Sequence, residues 1–262
     1  MINLFYKKNG DYFINKIKNN HHFKYSRFND GELTAIIKNE NINYPKFNNI
    51  NFNNNINVKN KFNCDGHNYF EKMGLELNEV LLSYKKSDNY ILQSYDLWYN
   101  KYVDIKSKLD VLKIINADLS FMHDDFIRRT HQDNPTFFLN MLEILKNKKM
   151  VIVGPHYLKK LSKHFMFKFI EVPLKNCYLE KNYIIDEMKK IRNERDNNFF
   201  LLSASMASNI IIDKFDDNKN TYIDWGSVWD TFFDSKTHPY IRKRSTTNND
   251  KYKKIYSKYI IK

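Results

Sequence analysis

Four apolar runs of strand length, each stopped by turn residues, constrain this chain more than any other feature. Met150-Val-Ile-Val153 stops at Gly154-Pro155, and Phe169-Ile-Glu-Val172 stops at Pro173. Phe199-Phe-Leu-Leu202 gives way to Ser203-Ala-Ser205, and Thr221-Tyr-Ile223 to Asp224-Trp-Gly226. Asn89-Tyr-Ile-Leu92 has the same character. Between them, helical patterns are expected at about 135–147, 156–166, 179–193 and 205–214. Short buried strands alternating with helices predict an α/β fold, a Rossmann-like, mostly parallel sheet flanked by helices. In such a sheet a ligand sits beyond the carboxyl ends of the strands, where loops converge and helix N-termini direct free N–H groups outward.

No solenoid-length repeat and no Pro/Gly/Ser linker divides the 262 residues, so a single domain over 1–235 is expected. Residues 41–61 form an Asn-rich excursion read as a long loop, although the spacing of Ile50, Phe52, Ile56 and Val58 also allows a short strand or hairpin. Residues 236–262 form a basic C-terminal segment expected to pack on the domain or close over it. The net charge of +13 is concentrated there, with nine basic residues against Asp250 alone. Arg242 and Arg244 could hold phosphates of a nucleic acid, an anionic lipid or an anionic donor substrate, whereas a solvated Lys-rich end is the plainer alternative. Ile255, Tyr259 and Ile260 also suit the apolar side of a docked terminal helix. Two cysteines, Cys64 and Cys177, form neither a disulfide framework nor a zinc pattern. With no signal-peptide core at the N-terminus and no long apolar run, a cytoplasmic protein without a transmembrane segment is expected.

The sharpest local motif is Ser26-Arg-Phe-Asn-Asp-Gly-Glu32, followed by the helical pattern Leu33, Ile36, Ile37. Asp30 and Glu32 flank Gly31, which lets a backbone pass close to a ligand, and two hard carboxylates there could hold Mn²⁺ or Mg²⁺ against a diphosphate. Arg27 could add charge-assisted hydrogen bonds to the same phosphates. The competing reading is a capping box, with Asn29 as N-cap and Glu32 three residues on. Gly154 and Pro155 make a strand-to-helix turn that suits a phosphate and is equally an ordinary connection. Ser203, Ser205 and Ser208 leave room for a nucleotide or for close helix packing. Asp224 and Asp230 could contact a ribose, a metal or an acceptor hydroxyl, or could cap a helix ahead of core Val228 and Trp229. Neither a P-loop, a GxGxxG fingerprint nor a serine nucleophile elbow occurs.

Ser26-Arg-Phe-Asn-Asp-Gly-Glu32 resembles the Arg-[Phe/Tyr]-Gly-Asp-Gly-Glu signature of the GT-D fold glycosyltransferases. Lys149–Pro155, Phe200–Ser205 and Tyr222–Asp230 are similar to that family's later blocks, in the same order, with Asn29 standing where the family often has glycine. The resemblance spans nearly the whole chain, and its first and last blocks are the more specific. It implies a GT-D type domain that transfers a sugar from a nucleoside diphosphate donor, commonly a UDP-sugar, to a glycan or glycoprotein. It further implies a metal-binding Asp-x-Glu pair, Asp30 and Glu32. Among the acids, Asp224 or Asp230 is the best candidate for a catalytic base, and Asp30 is an alternative contact to the donor sugar or ribose. The substrate-binding candidates are Arg27, Asn29, Gly31, Gly154, Pro155, Ser203, Ser205, Arg242 and Arg244. A nucleic-acid module using the basic tail and a non-catalytic nucleotide-sugar-binding relative are the alternatives.

Overall fold

The computed structural model describes residues 5–6, 10–39, 66–94, 116–122, 127, 134–233 and 254–261. The 41–61 excursion, Arg242 and Arg244 lie outside them, as does the side chain of Asp30. Among the described residues eight strands form one sheet: β1 (Phe5–Tyr6), β2 (Lys24–Arg27), β3 (Tyr90–Gln93), β4 (Phe121–Met122), β5 (Lys149–Pro155), β6 (Phe167–Val172), β7 (Asn198–Leu202) and β8 (Thr221–Asp224). Their order is β1-β4-β3-β2-β8-β7-β5-β6, and every pairing is parallel. The described α-helices are α1 (Gly10–Lys18), α2 (Asp30–Asn39), α3 (Glu71–Ser83), α4 (Pro135–Lys146), α5 (Lys181–Glu194) and α6 (Ala207–Asp213).

The sheet is buried on both faces because its strands are apolar on both. Leu92, Tyr222, Phe200 and Val151 face a core closed by α2, α3, α5 and α6. Tyr25, Ile91, Ile223, Leu201 and Ile152 face a second core closed by α1, α4 and residues around 158–165 and 228–233. The helices present matching stripes: Met73, Leu77, Val80 and Leu81 in α3, and Ile184, Ile185, Met188 and Ile191 in α5. α4 begins where Asn134 accepts a hydrogen bond from the Phe137 N–H (3.1 Å) and Pro135 occupies the first turn. The segment expected as a helix at 156–166 is a 3₁₀ helix over His156–Lys163, which buries Leu158 and Leu161. Among the described residues, no helix is long and apolar enough to cross a membrane.

The C-terminal end of the described chain belongs to the second core. Ile261 pairs with Phe233, and its N–H reaches the Phe232 carbonyl at 2.7 Å. Tyr256 and Tyr259 are buried against Phe138, Phe165 and Phe232, and the Tyr259 hydroxyl donates to Glu143. The Tyr259 hydroxyl, Lys146 and Lys258 together hold the Glu143 carboxyl down to about 2.

The connections leaving the carboxyl ends locate a crevice. β2 leads into α2 on the first face, whereas its neighbour β8 leads into the 3₁₀ helix Val228–Phe232 on the second. Adjacent parallel strands whose connections part to opposite faces form a topological switch point, with an opening between the two loops.

Candidate functional site

The ends of β2 and β8 pair only through Lys24–Tyr222 and Tyr25–Ile223; beyond that the strands need another partner. Asn209 of α6 supplies it: its Oδ1 accepts from the Arg27 N–H (3.1 Å), and its Nδ2 donates to the Arg27 carbonyl (2.6 Å). Arg27 is thereby fixed at the mouth of the crevice. Its Nε donates to Asp224 Oδ2 and its Nη2 to Asp224 Oδ1, both at 3.1 Å. Both side chains are more than nine-tenths buried, so this bidentate pair is charge-assisted and shielded from water.

Room for the guanidinium comes from Gly226. Its φ is +57°, and a Cβ there would stand 1.9 Å from Arg27 Nη2. Only glycine satisfies both the left-handed turn and the close approach. The same turn is tied to β7, since Trp225 N–H and Gly226 N–H both reach the Leu202 carbonyl and the Ser203 hydroxyl donates to the Gly226 carbonyl at 2.6 Å.

Asp230 stands one turn further on. Tyr157, from the 3₁₀ helix after β5, donates its hydroxyl to Asp230 Oδ1 at 2.6 Å, and its ring meets Phe233 edge-on at 5.1 Å. Burial raises the Asp230 carboxyl to about 6, and the Tyr157 hydrogen bond partly opposes that rise. A carboxyl near 6 is mostly ionised at neutral pH yet basic enough to take a proton, which suits a general base.

The Asp-x-Glu motif opens α2 on the other wall. Asp30 is its first residue, Gly31 its second and Glu32 its third; Glu32 Oε2 accepts from the Asn29 N–H at 3.0 Å. That contact is the return half of a capping box. Magnesium commonly sits on one or two carboxylates with substrate phosphates completing its shell, so an Asp30–Glu32 pair fits such an ion. Among the described residues no three His, Cys, Asp or Glu side chains gather as a self-sufficient metal cluster.

Gly154 and Pro155 end β5, where a Cβ on Gly154 would lie 2.5 Å from Leu158 Cδ1 and 3.3 Å from Ser203 Cβ. Ser205 takes φ +53° in the turn to α6, and the Ser208 hydroxyl accepts from the Ala204 N–H at 3.3 Å. The structure thus brings together Arg27, Asp224, Gly226 and Ser203 around one turn. Tyr157 and Asn209 carry no motif in the sequence; a tyrosine two residues after a strand-ending Gly-Pro is the one local signal for the first.

No family model and no curated protein matches the chain. Solved structures do. One, described as the highly conserved domain of unknown function 1792 with a distinct glycosyltransferase fold, is similar over 94% of this chain and 91% of its own, at 17% identity and a TM-score of 0.54. A selenomethionine-substituted form of domain of unknown function 1792 covers the same shares at 16% identity and a TM-score of 0.53. The fold is glycosyltransferase-like. At this identity the likeness concerns the path of the chain, and the chemistry has to be argued from the crevice itself.

Proposed function

We propose that the protein is a glycosyltransferase that moves a sugar from a nucleoside diphosphate donor, a UDP-sugar in the first instance, to a hydroxyl of a glycan or glycoprotein. The observation that carries this reading is a buried carboxylate, Asp230, held by the Tyr157 hydroxyl in the segment that follows an arginine-lined switch point. In the transfer, the bond between the anomeric carbon and the diphosphate oxygen breaks, and the acceptor hydroxyl oxygen bonds to that carbon. The hydroxyl proton passes to the Asp230 carboxylate, which Tyr157 orients, and the electron pair leaves with the nucleoside diphosphate. Asp224 is less suited to the proton, because both of its oxygens are engaged by Arg27. The N-terminal end of α2 favours the anionic diphosphate electrostatically. Asp30 and Glu32 would hold a divalent cation, Mn²⁺ or Mg²⁺, whose Lewis acidity supports the leaving diphosphate.

The test is donor hydrolysis and transfer with UDP-sugars in the presence of Mn²⁺. Glu32→Gln retains a carbonyl to accept the Asn29 N–H, so it separates capping from metal binding: turnover and Mn²⁺-dependent UDP binding should fall while the melting temperature holds. Full activity in Glu32→Gln would remove the metal assignment, and absence of nucleotide binding by the unaltered protein would remove the glycosyltransferase reading.

A further inference from the structure

β3 ends in Gln93, whose neighbours in the sheet are Arg27 of β2 and Met122 of β4. Residues in one row of a parallel sheet point to the same face, and two-residue alternation places Gln93 with Ile91, Tyr25 and Met122. Gln93 is 0% exposed, and neither its amide oxygen nor its amide nitrogen has a hydrogen-bond partner. Turning the amide over changes nothing, because both ends lack one. The indole N–H of Trp225, just beyond β8 in the same core cluster, is likewise buried without a partner. Unpaired polar groups of this kind destabilise a fold, and an apolar side chain would fill the same space without the cost. Their place at the carboxyl ends of β3 and β8, on either side of Arg27, is where a ligand enters such a sheet.

We infer that Gln93 reads the base of the nucleotide donor, pairing its amide with an edge that carries an N–H beside a carbonyl, as uracil does. This rests on the glycosyltransferase reading above. The surroundings favour a base over a sugar. Ile91, Met122 and Trp225 are apolar neighbours on that face that suit the faces of a flat ring, and a sugar hydroxyl offers no donor and acceptor set side by side to match a planar amide. Two parallel hydrogen bonds to one amide match the base edge in number and direction.

The experiment is calorimetric titration of the unaltered protein, Gln93→Met and Gln93→Glu with UDP, UMP and inorganic pyrophosphate, together with thermal unfolding of each. Gln93→Met should melt at a higher temperature than the unaltered protein yet bind UDP and UMP roughly tenfold or more weakly, with pyrophosphate binding unchanged. Gln93→Glu keeps the shape but loses the amide donor, and should weaken both nucleotides in the same way. The inference is overturned if a folded Gln93→Met binds UDP and UMP normally, or if pyrophosphate binding falls in parallel with UDP. Should Gln93→Met fail to fold, Gln93→Glu decides by the same criteria. Binding of UDP by the unaltered protein with both variants indifferent sinks this inference alone; no nucleotide binding by the unaltered protein sinks the glycosyltransferase reading with it.

Discussion

Asp230→Asn separates the cost of a buried charge from everything else at its position. The carboxyl titrates at 3.8 in an unstructured chain and at about 6 in the fold, because burial disfavours its charged form. At about 1.4 kcal/mol per pH unit, ionising it inside the fold costs about 3 kcal/mol. The sign follows from proton binding. Between pH 4 and 6 the unfolded chain has lost this proton while the folded chain retains it, so stability falls as pH rises through that window and levels off above it. Asparagine keeps an oxygen for the Tyr157 hydroxyl and does not titrate. The stability difference between the two proteins should therefore drift in favour of the variant as pH rises, by about 1.4 kcal/mol between pH 5 and 8 and by about 3 kcal/mol over the full span. For a domain near this size that span corresponds to roughly 6–12 °C in melting temperature. Urea unfolding followed by the fluorescence of buried Trp225 and Trp229 reads it, and taking the difference cancels any constant offset from the new amide. A difference that stays flat from pH 5 to 8, or drifts the other way, refutes the buried-charge argument. The same carboxyl should give kcat/KM a rising limb through about pH 6, absent in Asp230→Asn.

Gly226→Ala should lower stability by at least about 1–2 kcal/mol from its left-handed backbone alone, and more as the new Cβ displaces the Arg27 guanidinium; an unchanged urea midpoint would contradict the close approach. Asp224→Ala should cost about 3–5 kcal/mol by stranding a buried arginine, and Asp224→Asn less, because one acceptor oxygen remains; equal losses in chemical denaturation would mean that the pair's geometry is immaterial. Tyr259→Ala should cost about 3–5 kcal/mol through the cavity it leaves among His164, Phe165 and Phe232, checked by thermal melts in which an unaltered midpoint would show that the terminal segment is dispensable.

Strands β5, β7 and β8 could be read from the sequence because a strand covered on both faces must be apolar at nearly every position, and Met150–Val153 and Phe199–Leu202 are. β2 could not. Lys24-Tyr-Ser-Arg27 has one apolar residue in four, yet Tyr25, Ser26 and Arg27 are all buried by sheet neighbours from distant parts of the chain. β1 and β4, at two residues each, carry no period to detect. The contacts of the site divide in the same way. The capping contact between Asn29 and Glu32 spans three residues and was legible as a motif, but the Arg27–Asp224 pair spans 197 and the Tyr157–Asp230 contact 73. Asp224 and Asp230 looked equivalent as strand-end acids. Only the fold distinguishes them, by giving one an arginine and the other a tyrosine in a dry setting.

That difference is what the switch point contributes. Two like carboxylates six residues apart differ in character because the chain turns at Gly226 between them, from the sheet onto its second face. On the sheet side, Asp224 is gripped at both oxygens by the Arg27 guanidinium, which fixes the crevice wall. On the far side, Asp230 meets, among the described residues, a neutral hydroxyl and a desolvating core, which raises its basicity. The Gly226 turn is therefore the element on which both roles depend. A chain that kept both acids but not that glycine would have no room for the guanidinium at Asp224, and the wall from which Asp230 projects would shift with it.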